Sequence, residues 1–167
     1  SNQGYQTACI GKWHLGLNWV KKDAKKPLFT GNEWNVENTD NVDYTAYISG
    51  GPTDCGFDYS CILPASLDMP PYIYIENGKV TSHVNGYTED YLEKEVRGAR
   101  YRHGDVADDF NHQKCLSYFT QKSEEYIARA AKQDKPYFLY FALTAPHAPW
   151  LPGEEFKGRS AAGAYGD

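Results

Sequence analysis

The sequence lacks any run of about 18 consecutive apolar residues, the length from which a membrane-spanning helix is inferred. It also shows no N-terminal pattern typical of a secretion signal. The 17 Lys and Arg residues are outnumbered by 22 Asp and Glu residues, so the basic surplus of a nucleic-acid-binding protein is missing. We therefore expect neither a membrane nor a nucleic acid as a partner, and any anion site must be built from a few cations placed locally.

Cysteine pairs of the kind that bind zinc are also missing. The four cysteines, at positions 9, 55, 61 and 115, form no Cys-x-x-Cys pair. Cys55 and Cys61 could form a disulfide, but free thiols are at least as good an interpretation. The sequence contains no Asn-x-Ser/Thr sequon, so one sign of a secreted eukaryotic protein is absent without excluding that class. The redox compartment therefore stays open.

The composition is that of a packed protein. Hydrophobic residues make up 41% and charged residues 23% of the 167 residues, which is close to the average for globular domains. Internal repeats and low-complexity stretches are absent. The length suits one domain or part of a larger one, with a core rather than disorder.

Short apolar stretches alternate with long polar ones. Thr7–Lys12 has the pattern of a short buried strand, whereas residues 18–54 are polar and predict a long irregular segment. Tyr72–Val80 contains an Asn-Gly pair between strand-forming residues, which favours a β-hairpin with a type I′ turn. Residues 86–104 are charged, and we expect them to be exposed.

The clearest helix is predicted from about Asn111 to Lys132. Its apolar positions follow the three-four spacing of one buried face, with a serine as a gap: Leu116, Phe119, Ser123, Tyr126, Ile127 and Ala130. Polar side chains at its start suggest capping, namely Asp108, Asp109 and Asn111. Pro136 marks the end of the helical segment.

A seven-residue apolar run, Tyr137–Leu143, follows this helix directly. Such a run is typical of a strand that is buried on both faces. A helix followed by a buried strand is half of a βαβ unit, so we predict an α/β fold. The polar segment that begins at Thr144 would then lie at the carboxyl end of a strand, where open α/β sheets bind ligands.

Two short segments could carry chemistry. Lys12 and His14 lie two residues apart at the end of the first strand, and in an extended chain such residues point to the same side. An ammonium and an imidazole placed in this way could face one anion together. His147 lies between Pro146 and Pro149, which restrict the backbone and would hold the imidazole rigidly. Taken alone, each motif more often belongs to an ordinary polar turn than to a functional site.

Four segments of the chain resemble the sulfatase family, and they occur in the family's order. Residues 4–16 are similar to the second sulfatase signature almost residue for residue. Residues 56–68 resemble the family's GFD…PxSxD segment, and residues 138–149 resemble its FFLY…PHxP segment. Residues 158–167 are similar to its GxSxxGxYGD stretch. Together the matches span nearly the whole chain and point to a sulfatase of the arylsulfatase type.

The resemblance implies specific roles for five residues. Lys12 matches the lysine that contacts the sulfate, and His14 matches the histidine near the hydroxyls of the formylglycine. His147 matches the histidine that holds the sulfate and the ester oxygen. Ser66 and Asp68 match a serine and an aspartate of the active site and are candidate substrate-binding residues. The resemblance further implies an alkaline phosphatase-like α/β fold, here as a partial sheet with flanking helices and a β-hairpin, and catalysis with formylglycine and a calcium ion.

The motif that carries the family's nucleophile, Cys/Ser-x-Pro-x-Arg, does not occur in the sequence. The pairs Asp108-Asp109 and Asp40-Asn41 have the wrong place in the chain order for the family's calcium ligands, so we assign no metal ligand. We therefore expect residues 1–167 to be the central part of a sulfatase catalytic domain, an internal fragment without the nucleophile region and the C-terminal region. By itself this fragment should be inactive.

Other functions stay open. A phosphodiesterase or phosphonate hydrolase of the same superfamily is an alternative, although the GKWHLG and PHxP segments favour a sulfatase. A non-catalytic module could instead bind sulfated glycans through Lys12, His14 and His147, or the chain could fold without a function of its own. For a sulfatase, the substrate would be an aryl or carbohydrate sulfate, and family analogy suggests a periplasmic or secreted location. Uncovered strand edges would favour self-association of the fragment.

Overall fold

The computed structural model describes residues 3–32, 35–94 and 98–167. Within these ranges there is one α-helix, α1, at Cys115–Ala130, and one 3-10 turn at Gly163–Tyr165. The strands are β1 Gln6–Lys12, β2 Thr30–Asn32, β3 Asn35–Asn38, β4 Tyr59–Leu63, β5 Ile75–Glu76, β6 Lys79–Val80, β7 Gly86–Thr88, β8 Tyr91–Leu92, β9 Arg100–Tyr101, β10 Gly104–Val106 and β11 Tyr137–Ala142.

Five strands form the main sheet, in the order β11-β1-β4-β5-β6. The strand β1 is parallel to both β11 and β4, whereas β5 and β6 are added in antiparallel fashion. Parallel neighbours require long crossover connections, and the crossover into β11 contains α1. The predicted α/β class is therefore confirmed, and the predicted strand at Thr7–Lys12 is β1.

The predicted hairpin is present as β5 and β6. Asn77 and Gly78 connect the two strands with φ values of 49° and 80°. These are the positive values that a type I′ turn needs, which explains the Asn-Gly pair. The Asn77 side chain also accepts a hydrogen bond of 2.9 Å from the backbone N–H of Ser60, so the turn is fastened to β4.

Helix α1 buries one face against the sheet, at Cys115, Phe119, Ser123, Tyr126 and Ala130. The prediction included every residue of this face except Cys115. Leu116 and Ile127, also predicted to be buried, are 39% and 38% exposed because they lie beside the stripe of residues that faces the sheet.

The predicted capping of α1 is wrong. The helix begins after Lys114, and no side chain caps it. Asp108 instead accepts a hydrogen bond from Asn85, and Asp109 accepts one from Thr81. Asn111 accepts a hydrogen bond from the backbone N–H of Lys114, so its side chain closes the turn that precedes the helix. These polar groups fix the loop before α1 rather than its first turn.

The prediction that the run Tyr137–Leu143 is buried on both faces is also wrong. Among the described strands, β11 lies at the edge of the sheet and pairs with β1 alone. Phe138 is 53% and Tyr140 48% exposed, whereas Leu139 and Phe141 pack partly against the core. Apolar side chains thus remain uncovered on this strand. Self-association through this edge stays a prediction.

The long polar segments contain little regular structure, as predicted. Residues 18–54 contribute the β2–β3 pair and are fastened by two isolated bridges, Asn18 with Ser49 and Lys21 with Val42. Residues 86–104 are mostly exposed in their described part and form short strand pairs. In the described part of the chain, no helix is both long and apolar enough to cross a membrane.

Candidate anion-binding site

Three parallel strands end at the same edge of the main sheet. The last residue of β1, Lys12, is in register with Leu63, the last residue of β4. Gly11 is in register with Ala142, the last residue of β11. Every candidate residue predicted from the sequence lies in β1 or in the segments that follow these strand ends. This is the edge where α/β sheets bind ligands.

Gly11 allows β1 and β11 to approach each other closely at this edge. A β-carbon at this position would lie 1.9 Å from the carbonyl oxygen of Ala142. The φ value of Gly11 is 115°, a conformation that side chains of L-residues rarely adopt. The glycine of the GKWHLG segment is therefore a requirement of strand packing, directly beside Lys12.

The turn after β1 is held by the end of β4. The backbone N–H of Trp13 donates to the carbonyl of Leu63 at 3.0 Å, and that of His14 donates to Pro64 at 3.1 Å. His14 has a φ of 53°, so the extended-chain argument for Lys12 and His14 does not apply at the second residue. Lys12 nevertheless lies close enough to His14 to influence its ionisation, as the pKa of His14 shows.

The pKa of His14 is lowered from its usual value of 6.5, first by partial burial and then by the positive charge of Lys12. His147 also lowers the pKa, whereas the carboxylate of Asp68 raises it. These effects act only over short distances, so three separate segments of the chain bring four ionisable groups together. Lys12, Asp68 and His147 thus all lie within electrostatic range of His14, which is compatible with the predicted convergence of Lys12, His14 and His147. Their roles in catalysis stay a prediction.

His147 is held by its neighbours on one side of the ring. Its Nδ1 lies 2.6 Å from the carbonyl oxygen of Ala148 and 3.2 Å from the hydroxyl of Ser66, which is buried. A carbonyl oxygen can only accept a hydrogen bond, so Nδ1 carries the proton and donates it. Asp68 lies next to this group, with Oδ1 3.9 Å from Nδ1. Ser66 and Asp68 thus belong to the same cluster.

The loop that carries His147 is fixed by its backbone. The N–H of His147 donates to the carbonyl of Thr144 at 3.2 Å. The indole N–H of Trp150 donates to the carbonyl of Pro146 at 2.9 Å. The bonds before Pro146 and Pro149 are cis. The imidazole side chain remains 49% exposed and is therefore accessible to a ligand.

Sequence reasoning missed Arg102. Its guanidinium Nη2 lies 3.4 Å from Oδ2 of Asp68, and both side chains are largely buried, at 24% and 19% exposure. Arg102 is 34 residues away from Asp68 in a segment with no recognisable motif, so no local signal could have identified it.

A cleft of about 580 Å³ adjoins His147 and was also missed. It lies between α1 and the segment after β11, with Leu116, Thr120, Pro149 and Trp150 among its lining residues. Because the cleft combines residues from distant segments, only the fold reveals it. It gives the exposed imidazole of His147 an apolar neighbourhood on one side.

The described residues do not fit a resident metal ion. In the part of the chain that the structure describes, no group of three or more His, Cys, Asp or Glu residues is arranged so that it could hold a metal ion. The Asp40 carboxylate accepts from the side chain of Asn38, and the Asn41 amide donates to backbone carbonyls, so this lookalike pair has a role in the loop. The rejection of Asp108 and Asp109 as ligands agrees with their loop contacts described above.

The cysteines do not form a candidate nucleophile. All four are free, so Cys55 and Cys61 are not joined, and Cys55 is the exposed one. Burial raises the pKa of the Cys9, Cys61 and Cys115 thiols to about 12. Buried thiols that stay protonated at neutral pH are poor nucleophiles and serve as small apolar side chains.

Comparisons with known proteins place the chain among sulfatases. The chain is 23% identical over 203 residues to an N-acetylgalactosamine-6-O-sulfatase of Bacteroides thetaiotaomicron, covering 98% of this chain and 34% of that protein. It is 26% identical over 165 residues to the N-acetylgalactosamine-6-sulfatase of Mus musculus, covering 98% and 24%. It is 25% identical over 175 residues to human arylsulfatase A, covering 99% and 27%. The chain therefore spans only about a quarter to a third of the length of these relatives.

A solved structure from work on the metabolism of multiple glycosaminoglycans by Bacteroides thetaiotaomicron has the same fold. The TM-score is 0.66 at 22% identity, and the match covers 99% of this chain and 36% of that one. This likeness supports the predicted alkaline phosphatase-like α/β fold. The sequence profile of the Sulfatase family matches residues 1–165, which is nearly the full length, and the chain therefore belongs to the sulfatase family.

Proposed function

We propose that this chain is part of an enzyme that hydrolyses sulfate esters of carbohydrates, and that it supplies cations that hold the sulfate group. The observation that carries this proposal is the convergence of Lys12, His14 and His147 at the carboxyl edge of the sheet. Two relatives named N-acetylgalactosamine-6-sulfatase support a sulfated amino sugar as the substrate.

The chemistry of these groups suits a sulfate ester. The oxygens of a sulfate repel an approaching nucleophile, and fixed cations around them offset this repulsion. The Lys12 ammonium is a compact charge with three donors. Since Nδ1 of His147 already donates to Ala148, Nε2 is the ring nitrogen that is left to contact a sulfate or an ester oxygen. Lys12 and His147 therefore bind and orient the sulfate in this proposal, with His14 beside them.

Formylglycine and calcium, which the family resemblance implies, would supply the nucleophile and a further positive charge in the whole enzyme. The described residues of this chain do not fit either group, since they contain neither the nucleophile motif nor a cluster of metal ligands. What this chain contributes is the binding and orientation of the sulfate.

Binding can be tested on the chain itself. We expect the imidazole NMR signals of His14 and His147 to shift when N-acetylgalactosamine 6-sulfate is added, but not when the unsulfated sugar is added. Lys12→Ala should weaken binding about tenfold or more, because a hydrogen bond to a charged group contributes about 1.5–3 kcal/mol. Lys132→Ala is the matched control, since Lys132 is exposed in the turn that leads into the start of β11. Equal binding of both sugars would contradict the proposal.

Turnover separates the proposed enzyme from a binding module. This chain alone should release no sulfate from a generic aryl sulfate with calcium present, because it has no nucleophile motif. Turnover that Lys12→Ala abolishes would contradict this expectation. A full-length protein that binds the sulfated sugar but never hydrolyses it would favour the non-catalytic glycan-binding module. Tighter binding of the corresponding 6-phosphate would favour a phosphoester substrate.

We propose a periplasmic or secreted location, which rests on family analogy. Fractionation of the producing cells with an antibody against this chain would test it. Recovery with the cytosolic marker proteins would contradict it.

A further inference from the structure

The carboxylate of Asp68 has an unusual environment. Its Oδ1 atom is buried and has no hydrogen-bond partner among the described residues. This atom lies 3.9 Å from Nδ1 of His147, which is about 1 Å beyond the length of a good charged hydrogen bond. Buried acceptors are almost always paired, so an unpaired one next to an N–H donor indicates a contact that forms in another state of the site.

Arg102 holds this carboxylate in place from the other side. Its Nη2 lies 3.4 Å from Oδ2 of Asp68, and its backbone N–H donates to the Asp68 carbonyl at 3.3 Å. The carbonyl of Arg102 in turn accepts from the hydroxyl of the fully buried Tyr72 at 2.8 Å. The Asp68–Arg102 pair is therefore anchored in the core, and only Oδ1 faces the imidazole.

A role for Asp68 in binding the sulfate directly is unfavourable on electrostatic grounds. A carboxylate and a sulfate carry charge of the same sign and repel each other. The same negative charge is favourable next to a protonated imidazole. Asp68 also raises the pKa of His14, so its carboxylate lies within electrostatic range of this second histidine.

We propose that Asp68, held by Arg102, is a positioning residue for His147. When a sulfate ester binds, the ring moves toward Asp68, and Oδ1 accepts the hydrogen bond from Nδ1 together with Ser66. This contact fixes the ring and stabilises the doubly protonated imidazole, which donates from Nε2 to the sulfate. The proposal rests on the proposed function of His147 and revises the expectation that Asp68 contacts the substrate.

The variant Asp68→Asn gives opposite results for the two roles. If Asp68 were only a negative charge near the sulfate, its removal would reduce repulsion and tighten binding of N-acetylgalactosamine 6-sulfate. For a positioning residue we expect binding to weaken about tenfold, because a hydrogen bond to a charged imidazole is lost. Unchanged or tighter binding would overturn the proposal.

Nitrogen-15 NMR of His147 provides a readout that a merely structural role would not change. With the sulfated sugar bound at pH 7, both ring nitrogens should be protonated in the original protein and a smaller fraction of rings in Asp68→Asn. The same fraction in both proteins would overturn the proposal. If the original protein does not bind the sugar, the proposed function fails; if it binds the sugar but Asp68→Asn binds it equally well, only the positioning role fails.

Arg102 provides a second test if Asp68→Asn does not fold. Arg102→Gln should weaken sugar binding about threefold to tenfold, and Arg102→Lys should restore part of it because the positive charge returns. Arg100→Gln is the matched control, since Arg100 is exposed two residues away and loses the same charge. Equal effects of Arg102→Gln and Arg100→Gln would mean that only the net charge matters, and would overturn the positioning role.

Discussion

The strands β1 and β11 end at the same edge of the sheet, but their surroundings differ. The strand β1 is paired on both sides, and Cys9 and Ile10 are fully buried. The strand β11 is paired on one side, and about half of the surface of Phe138 and Tyr140 is exposed. Lys12, a candidate sulfate-binding residue, is the last residue of β1, and the second candidate, His147, lies in the loop that follows β11. The backbone of β1 is fixed by two neighbours, whereas His147 depends on side-chain and loop contacts beyond the end of β11.

A substitution at the close contact between β1 and β11 should destabilise the fold more than the other substitutions considered below. Gly11→Ala places a methyl group against the Ala142 carbonyl and forces an unfavourable φ. We expect a loss of about 4 kcal/mol or more in the free energy of unfolding, from overpacking and backbone strain together. Urea denaturation measures this loss.

Gly56→Ala is the matched control for backbone strain. Gly56 has a φ of 99°, but nothing lies within 4 Å of the β-carbon that alanine would add. Only the strain should remain, so the loss should be about 1–2 kcal/mol. Equal losses in the two variants would mean that the close approach of β1 and β11 is unimportant.

Paired substitutions on the two strands sharpen the comparison. Ile10→Ala should lower the free energy of unfolding by about 3 kcal/mol, because it removes a fully buried side chain and leaves a cavity. Tyr140→Thr should cost less than about 1 kcal/mol, since the ring is half exposed and threonine also favours strands. A larger loss for Tyr140→Thr would show that β11 is covered in solution, as expected for self-association through this edge. Light scattering on the same samples would detect that association.

The difference between the strands marks the limit of the sequence prediction. Period and turn chemistry identified β1, the hairpin at Asn77-Gly78 and the helical segment, because these signals are local. The apolar composition of Tyr137–Leu143 predicts a strand but does not reveal how many neighbours it has. Burial depends on the partners that the rest of the chain provides, so the exposure of Phe138 could not be predicted.

The residues of the candidate site also differ in how well the sequence predicts them. Lys12, His14 and His147 lie in short motifs that a family resemblance can recognise. The Asp68–Arg102 pair joins residues 34 positions apart, and Arg102 lies in a polar stretch without a motif. Its role depends on a salt bridge that exists only in the folded chain. The contacts that support a site are therefore harder to predict than the residues that form it.

The aromatic stack around His112 should make the stability of the protein depend on pH. The ring of His112 stacks on Tyr101 with centroids 3.8 Å apart and lies 4.4 Å from the ring of Tyr72. Its Nε2 atom is buried without a hydrogen-bond partner among the described residues. Burial lowers the pKa of His112 to about 4. The histidine is therefore neutral in the folded protein at pH 7.

This lowered pKa predicts how stability depends on pH. Between pH 6.5 and about 4 the unfolded chain binds a proton at His112 that the folded protein does not bind. The contribution of the neutral His112 ring to the free energy of unfolding is fully present above pH 6.5. It is lost as the pH falls toward 4. Because part of the ring is exposed, we expect a loss of about 1–2 kcal/mol between pH 7 and pH 4.5.

His112→Phe keeps a stacking ring but cannot bind a proton, so this part of the pH dependence should disappear. Urea denaturation at several pH values measures the difference, and carboxylates that titrate in the same range contribute equally to both proteins. His83→Gln is the control, because it removes an imidazole from an exposed position instead of the aromatic stack. Identical pH profiles for His112→Phe and the original protein would contradict this prediction. They would mean that His112 binds a proton as readily in the folded protein as in the unfolded chain, and that the aromatic stack tolerates a positive charge.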